Sequence, residues 1–400
     1  MIRHLLKLAW HRKRTNALLF LEIGASFLVV FAVGAATLYV GANWRQPLGY
    51  DWRDAWSIRI TDERMGLSQT PEEDGRLMAR LLDEVRRMPG VVAAAGMDSP
   101  PYVDWTNTSN FVIDGKTVEF NSSGATIDAD RVLRLKVIAG RWFTREDDAA
   151  AWLPVVLDRD LAKTFFGTVS CVGKTIPRTG GENGIEKRVV GVIDEFRKDG
   201  ELSRPGNFLF QYVSGEAKSG PTRTDALIVR VPPGTGIDVE EAVVARLRAV
   251  APQWSFNVRP LEQLRSTRFW MVCSPIAVLA ILAAFMLLMV GLGLIGVLWQ
   301  NVARRTRELG LRRAMGATRM GICRQVLAEL LLIIAMAVAV GTLLVAQIPL
   351  FSIFDLLPIT IVWGAIALAV ATILGIGVAA GLYPSWTTTR IHPAEALHHD

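Results

Sequence analysis

Few residues in this chain are arranged to do covalent chemistry. Gly291-Leu292-Gly293-Leu294-Ile295-Gly296 is a literal GxGxxG. In a dinucleotide site those glycines sit at a strand-to-helix turn, with an acid about 20 residues further on. Here they lie inside an uncharged apolar run, where small residues let membrane helices approach closely. Gly291, Gly293 and Gly296 are therefore read as helix-packing positions. Gly173-Lys174-Thr175 ends like a phosphate-binding loop, but the position that needs the first glycine is Thr168, and Gly167 falls one residue early. His392, His398 and His399 lack the cysteine or acid spacing of a metal site. Cys171, Cys273 and Cys323 make no CxxC, and no HExxH or GxSxG occurs. The sequence thus offers no catalytic, cofactor-binding or metal-ligating residues, and the expectation is a chain that is not an enzyme.

The densest charge pattern has another meaning. Between Arg304 and Glu329 stand Arg304, Arg305, Arg307, Arg312, Arg313, Arg319 and Arg324, against only Glu308 and Glu329. Every residue from Phe269 to Ala303 is uncharged, and a new apolar run begins at Leu330. A basic segment between two apolar runs marks a cytoplasmic loop. Thr306–Gly316 is rich in helix formers, Gly316-Ala317 breaks the pattern, and Thr318 is placed to cap a following helix. Physics alone leaves two uses open: a helix lying on anionic lipid, or a docking segment for a cytoplasmic protein.

The elements that position this loop are four apolar runs. Residues 1–16 are basic and cytoplasmic. Residues 17–42 form a first span of about 39 Å at 1.5 Å per residue, too long for the hydrophobic part of a signal peptide. Residues 269–303 give an overlong second span, about 52 Å as helix, that must tilt or project as a stalk. Residues 304–329 are the basic loop, 330–350 a third span, 351–358 a short outer loop, 359–383 a fourth span, and 384–400 a cytoplasmic tail. Spans two to four hold no Lys, Arg, Asp or Glu, which disfavours an ion or proton pathway. Glu22 and Glu329, near the ends of spans one and three, are read as reaching the interface or pairing with nearby arginines.

Residues 43–268 are the aqueous part. Ser57–Ile60 alternates like a strand, Asp74–Met88 repeats at helical spacing, and Val91–Ala95 can return as a strand. Ala226–Val231, Asp238–Val250 and Ser255–Val258 repeat that strand–helix–strand order. The two end segments are expected to pack together, with residues 115–220 as an inserted β-rich lobe. Phe111–Phe120 reads as a hairpin around Asp114-Gly115. The fold class is thus a membrane protein of four transmembrane α-helices, with a large α+β extracytoplasmic domain inserted between helices 1 and 2. The 400 residues, 51% hydrophobic and 20% charged, suit that mixture. The net charge of +6 collects beside apolar runs, so it points to membrane lipid and away from nucleic acid.

Arg307-Glu308-Leu309-Gly310-Leu311-Arg312-Arg313-Ala314-Met315-Gly316-Ala317-Thr318, followed by Ile322 and Gln325 to Glu329, resembles the signature of the MacB/FtsX-like permeases of ABC transporters. The tail Tyr383-Pro384-Ser385 and Arg390–Leu397 resembles that family's ending. Gly140–Phe143, Phe166-Gly167, Gly173–Ile176 and Val189–Ile193 resemble landmarks of the MacB-like periplasmic core domain. The resemblance implies a permease in a Gram-negative inner membrane, with both termini cytoplasmic and the large domain periplasmic. It implies a homodimer or a pair of homologous permeases, and an ABC ATPase that binds ATP on a separate cytoplasmic subunit. A periplasmic adaptor is a further candidate partner. Arg307, Glu308, Gly310, Leu311, Arg312, Arg313, Met315, Gly316 and Ala317 become the ATPase-coupling residues. The function implied is transmission of ATP-driven motion to the periplasmic domain, for export of a substrate. The alternatives are an FtsX-like regulator of a cell-wall hydrolase, or a membrane-anchored scaffold or sensor without an ATPase.

Overall fold

Each of the four apolar runs becomes a helix, and the mixed region between the first two becomes a sheet with helices on it. The computed structural model describes residues 13–62, 71–104, 107–113, 116–176, 185–214, 224–304, 315, 318–350 and 357–388. In chain order, α1 is Lys13–Trp44, β1 Ala55–Asp62, α2 Pro71–Arg86 and β2 Ala93–Met97. Then follow β3 Asn107–Ile113, β4 Lys116–Ala125, α3 Ala129–Leu133, β5 Val137–Gly140, β6 Leu153–Asp158 and α4 Arg159–Phe166. The domain closes with β7 Lys187–Ile193, β8 Phe208–Tyr212, β9 Ala226–Arg230, α5 Ile237–Val250 and β10 Trp254–Pro260. The remaining helices are α6 Leu261–Arg304, α7 Arg319–Leu350 and α8 Ile359–Thr388. The chain divides into two units, one of Met1–Gly41 with Cys273–Asp400 and one of Ala42–Val272.

Among the described residues, four helices are long and apolar enough to cross a membrane: Ala17–Trp44, Leu261–Gln300, Leu327–Gln347 and Ile359–Leu382. Their own unit packs Ile23 and Phe27 of α1 with Leu294 of α6, Ile334 and Ala337 of α7, and Ala365 and Ala369 of α8, all fully buried or nearly so. Lipid supplies no hydrophobic drive between helices, so their fit depends on shape. Gly341 shows this: a Cβ there would stand 2.5 Å from Cδ1 of Phe27.

The domain unit carries a ten-stranded sheet in the order β10-β1-β9-β2-β4-β8-β6-β7-β5, with β3 paired to β4. The two end segments interleave. β9 lies antiparallel between β1 and β2, and β1 lies antiparallel between β9 and β10. The arrangement is two split β-α-β units, whose helices α2 and α5 bury Leu81, Val85, Val243 and Leu247 against Ile58, Leu227 and Val229. The hairpin β3–β4 has Ile113 opposite Lys116; Asp114 and Gly115 lie outside the described residues.

The middle of the domain corrects the expectation of an inserted lobe over residues 115–220. Its core, built on Val155, Leu157, Phe208 and Phe210, also takes in Ala55, Met97 and Ile228 of the end segments, and its strands continue the same sheet. The join is narrow. Met97 pairs with Ala125, flanked by Asp98 N–H to Gly124 O at 3.0 Å and Thr126 N–H to Gly96 O at 3.0 Å. A second correction concerns the second span. The helix does not start at Phe269 but at Leu261, directly after Pro260 of β10, so Glu262, Arg265 and Arg268 stand on its first turns. The expected cap at Thr318 agrees with the structure: α7 begins at Arg319, and Gly321 N–H donates to the Thr318 hydroxyl at 3.2 Å.

One buried acid links this fold to pH. Asp158 ends β6 and caps α4, accepting from Leu161 N–H at 2.8 Å. Burial pushes its carboxyl up to about 8, against backbone hydrogen bonds from Leu161 and Phe208 that favour the ion. An aspartate in an unfolded chain titrates near 3.9, so between those values the folded state holds the extra proton. Stability from this group is complete below about pH 4 and is lost as pH rises through about 8. Asp158→Asn keeps an acceptor for Leu161 and is expected to flatten the decline of the melting temperature between pH 5 and 8. Equal declines in both proteins would put the proton elsewhere.

Candidate functional site: helix ends held inside the domain

A connection rich in glycine and serine would leave a helix free to move against a folded domain. Residues 43–56, Asn-Trp-Arg-Gln-Pro-Leu-Gly-Tyr-Asp-Trp-Arg-Asp-Ala-Trp, are instead dense in aromatic groups. They belong wholly to the domain unit, and two buried arginines fix them.

Arg197, in the segment after β7, is 2% exposed. Its Nη1 donates to the carbonyls of Asn43 and Gln46, each at 3.0 Å, and its Nη2 donates to the carbonyls of Glu201, at 2.9 Å, and Ser203. Its own N–H reaches Leu48 O at 3.1 Å. A planar fork with several donors in fixed directions is what lets one side chain satisfy carbonyls from two segments. Asn43 adds a side-chain hydrogen bond to Leu202 O at 3.4 Å. Further along, Arg230 at the end of β9 donates to Val132 O at 2.6 Å, Arg53 O at 2.8 Å and Asp51 O at 2.7 Å. Burial pulls this guanidinium below its ordinary value, and Asp51 opposes the shift. Asp51 N–H is itself bonded to Leu133 O at 2.9 Å, and its carboxylate accepts from Arg134 at 2.9 Å.

Between the two arginines, Tyr50 is driven into the core. Its ring lies 5.3 Å from Phe196 and 6.0 Å from Tyr102, while Phe196 packs on Phe208 and Phe210 at 4.6 and 4.8 Å. Burial raises its phenol well above the usual tyrosine value, so it stays neutral. Gly49 has φ +80, and a Cβ there would stand 1.7 Å from Glu195 O. Only glycine fits that turn.

The first turns of α6 are held on the same side. Arg265 lies 4.6 Å above the Trp52 ring and 5.7 Å from that of Trp44, and its Nε donates to Glu201. Burial would lower this guanidinium, but the bond and charge of Glu201 outweigh it and leave the value raised. Arg268 reaches Asp104 at 2.6 Å and Asp199 at 3.5 Å. Lys198, nearly fully buried, donates to Val103 O at 2.7 Å, and burial lowers its ammonium against the pull of Asp199. The end of α1 and the start of α6 thus meet one loop, 197–203. Chemically this arrangement can fix two helices to a domain; among the described residues it presents no group of three or more metal-ligating side chains.

Most of the residues singled out from the sequence lie elsewhere. Arg307, Glu308, Gly310, Leu311, Arg312, Arg313, Gly316 and Ala317 fall outside the described residues, and Met315 stands exposed in a turn. Of the three glycines, Gly293 faces α1, where a Cβ would lie 3.3 Å from both Glu22 Oε2 and Leu19 Cδ2. Among the described residues, at Gly291 it would meet only Ile376, at 3.8 Å, and at Gly296 nothing within 4 Å. Arg197, Arg230 and Arg265 were missed, because a lone arginine reads as a surface residue. The aromatic content of residues 43–56 was the available signal.

Comparison with known proteins gives two family matches: the MacB-like periplasmic core domain over residues 23–250 and the FtsX-like permease C-terminal region over residues 280–393. The chain is similar to a macrolide export ATP-binding/permease protein MacB of Bdellovibrio bacteriovorus, 29% identical over 281 residues, covering 66% of this chain and 41% of the relative. The MacB of Nitrosomonas europaea is 26% identical over 404 residues, covering 99% of this chain and 58% of the relative. The chain spans about half the length of the curated relatives it matches. Among solved structures, the periplasmic region of MacB from Actinobacillus actinomycetemcomitans matches with TM-score 0.38 and 18% identity, over 55% of this chain and 94% of that one.

Replacing Arg197 tests the fixation directly. Lysine has one nitrogen where arginine uses two to serve four carbonyls, and each buried carbonyl left bare costs about 1–3 kcal/mol. Arg197→Lys is expected to lower the melting temperature of the full chain and to open the peptide bonds after Arg45 and Arg53 to trypsin. Arg131→Lys, at an exposed position, is expected to do neither. Unchanged trypsin resistance in Arg197→Lys would show that other contacts hold the segment.

Proposed function

Because this chain belongs to the MacB/FtsX-like permease family, we propose that it is the membrane-spanning component of an ABC transporter, moved by an ATPase that lies outside these 400 residues. The observation that carries the reading is that α6 is one helix from Leu261, directly after Pro260 of the sheet, to Arg304, with Pro275 inside it. A helix of 44 residues, about 66 Å at 1.5 Å per residue, can carry displacement along its axis. The fixed ends of α1 and α6 would pass that displacement into the sheet instead of losing it in a hinge.

In this reading the basic segment is cytoplasmic, the α/β domain is periplasmic and the spans cross an inner membrane. Arg307–Ala317 docks on the ATPase through Arg312 and Arg313, and the ATP site belongs to that partner. The chain works as a homodimer or with a homologous permease. The MacB relatives are named for macrolide export; for this chain the proposal is export or extrusion driven from the periplasmic side.

Co-purification with a candidate ATPase tests the coupling. Arg312→Glu/Arg313→Glu is expected to abolish the complex and the stimulation of ATP hydrolysis, while membrane insertion and melting temperature stay as in the wild type. If the doubly reversed protein still binds and stimulates the ATPase, the docking role of this segment is wrong.

A further inference from the structure

We propose that a pocket beside the loop 197–203 binds the zwitterionic headgroup of a phospholipid, the phosphate on Arg268 and the ammonium on Asp199. The pocket has a volume of about 240 Å³ and is lined by Trp44, Tyr102, Asp199, Glu201, Leu202, Arg265, Ser266, Arg268 and Phe269, all within the domain unit.

Arg265 and Glu201 are spoken for, since the carboxylate is enclosed and the guanidinium is stacked on two tryptophans. Arg268, about as exposed as Arg265, differs in its partners: it bridges Asp104 and Asp199, which are 68% and 32% exposed. Ion pairs in such contact with water contribute little and exchange readily. A phosphate diester offers a guanidinium two acceptor oxygens at once, and the exposed Ser266 lines the same pocket. When Arg268 turns to phosphate, Asp199 keeps Lys198 Nζ at 3.7 Å and gains an open side that accepts an ammonium. The exchange conserves charge, which a purely anionic headgroup cannot do.

What the pocket opens beside makes the ligand a lipid and not a soluble ester. Trp44 ends one apolar helix, and Phe269, Trp270 and Met271 begin the apolar run of another; all four are exposed. Trp44 stacks edge-on with Phe269 at 6.1 Å, and Phe269 with Trp270 at 6.1 Å. Aromatic groups at such positions sit at headgroup depth, so the headgroups available there belong to phospholipids, and the apolar side chains next to the pocket suit the first methylenes of an acyl chain. This inference rests on the membrane-spanning reading of α1 and α6 and not on ATPase docking, so each can fail without the other.

The test uses the delipidated full chain in detergent, titrated by native mass spectrometry with dioleoyl phosphatidylethanolamine, dioleoyl phosphatidylglycerol and soluble glycerophosphoethanolamine. The ethanolamine lipid is expected to bind about tenfold more tightly than the glycerol lipid. Arg268→Gln is expected to weaken it about tenfold, and Asp199→Asn to weaken the ethanolamine lipid while leaving the glycerol lipid unchanged. The melting temperature of each variant guards against loss of fold. Equal binding of the two lipids by the wild type, or affinities unmoved by both substitutions, would overturn the proposal. Binding of glycerophosphoethanolamine as tight as that of the lipid would replace the lipid with a soluble ester and overturn it as well.

Discussion

A guanidinium buried among backbone carbonyls is the constraint on which the rest of this structure depends. Arg197 can be buried only while the carbonyls of Asn43, Gln46, Glu201 and Ser203 remain around it. Withdrawing any of them leaves a buried charge less well solvated, and such a group is costly. The end of α1 and the loop 197–203 can therefore move only together. Arg230 applies the same condition to residues 51–53 and the end of α3. The stretch between a membrane helix and the first strand has been made part of the domain core, with Tyr50 packed at its centre.

The two helix ends reach that rigidity by different means. The end of α1 crosses an irregular segment, and irregular backbone needs partners for its carbonyls, which the arginines provide. The start of α6 needs none, because it follows β10 directly and only its side chains require anchoring. Both arrangements leave residues 43–54 and the start of α6 bound to the same domain core. The spanning unit shows a related economy, with glycines such as Gly341 and Gly293 admitting a phenylalanine and a glutamate from α1.

What could be read from the sequence follows from which interactions are local. The spans were legible because apolar runs and flanking charge act residue by residue, and the interleaved end units because their strands and helices carry clear periods. The true start of α6 was hidden, since Glu262, Arg265 and Arg268 interrupt the apolar run though they continue the helix. The continuity of the sheet was hidden too, because β2 and β4 meet through one pair, Met97 and Ala125, and such a contact leaves no pattern in either strand. Arg197 and Arg230 were not legible: their role comes from carbonyls about 150 and about 180 residues away. The resemblance carried by Arg307–Thr318 pointed to the family, which the domain and span matches bear out.

The central claim is that residues 43–54 form a rigid part of the domain and not a tether. Residue-resolved hydrogen exchange in the full chain, reconstituted in lipid, measures this most directly at Gln46 and Asp51, whose amides bond to Asn43 O and Leu133 O. The account predicts protection at both close to that of Ile58 in the centre of β1. Exchange there as fast as in an exposed loop would contradict it, and would make the connection a hinge.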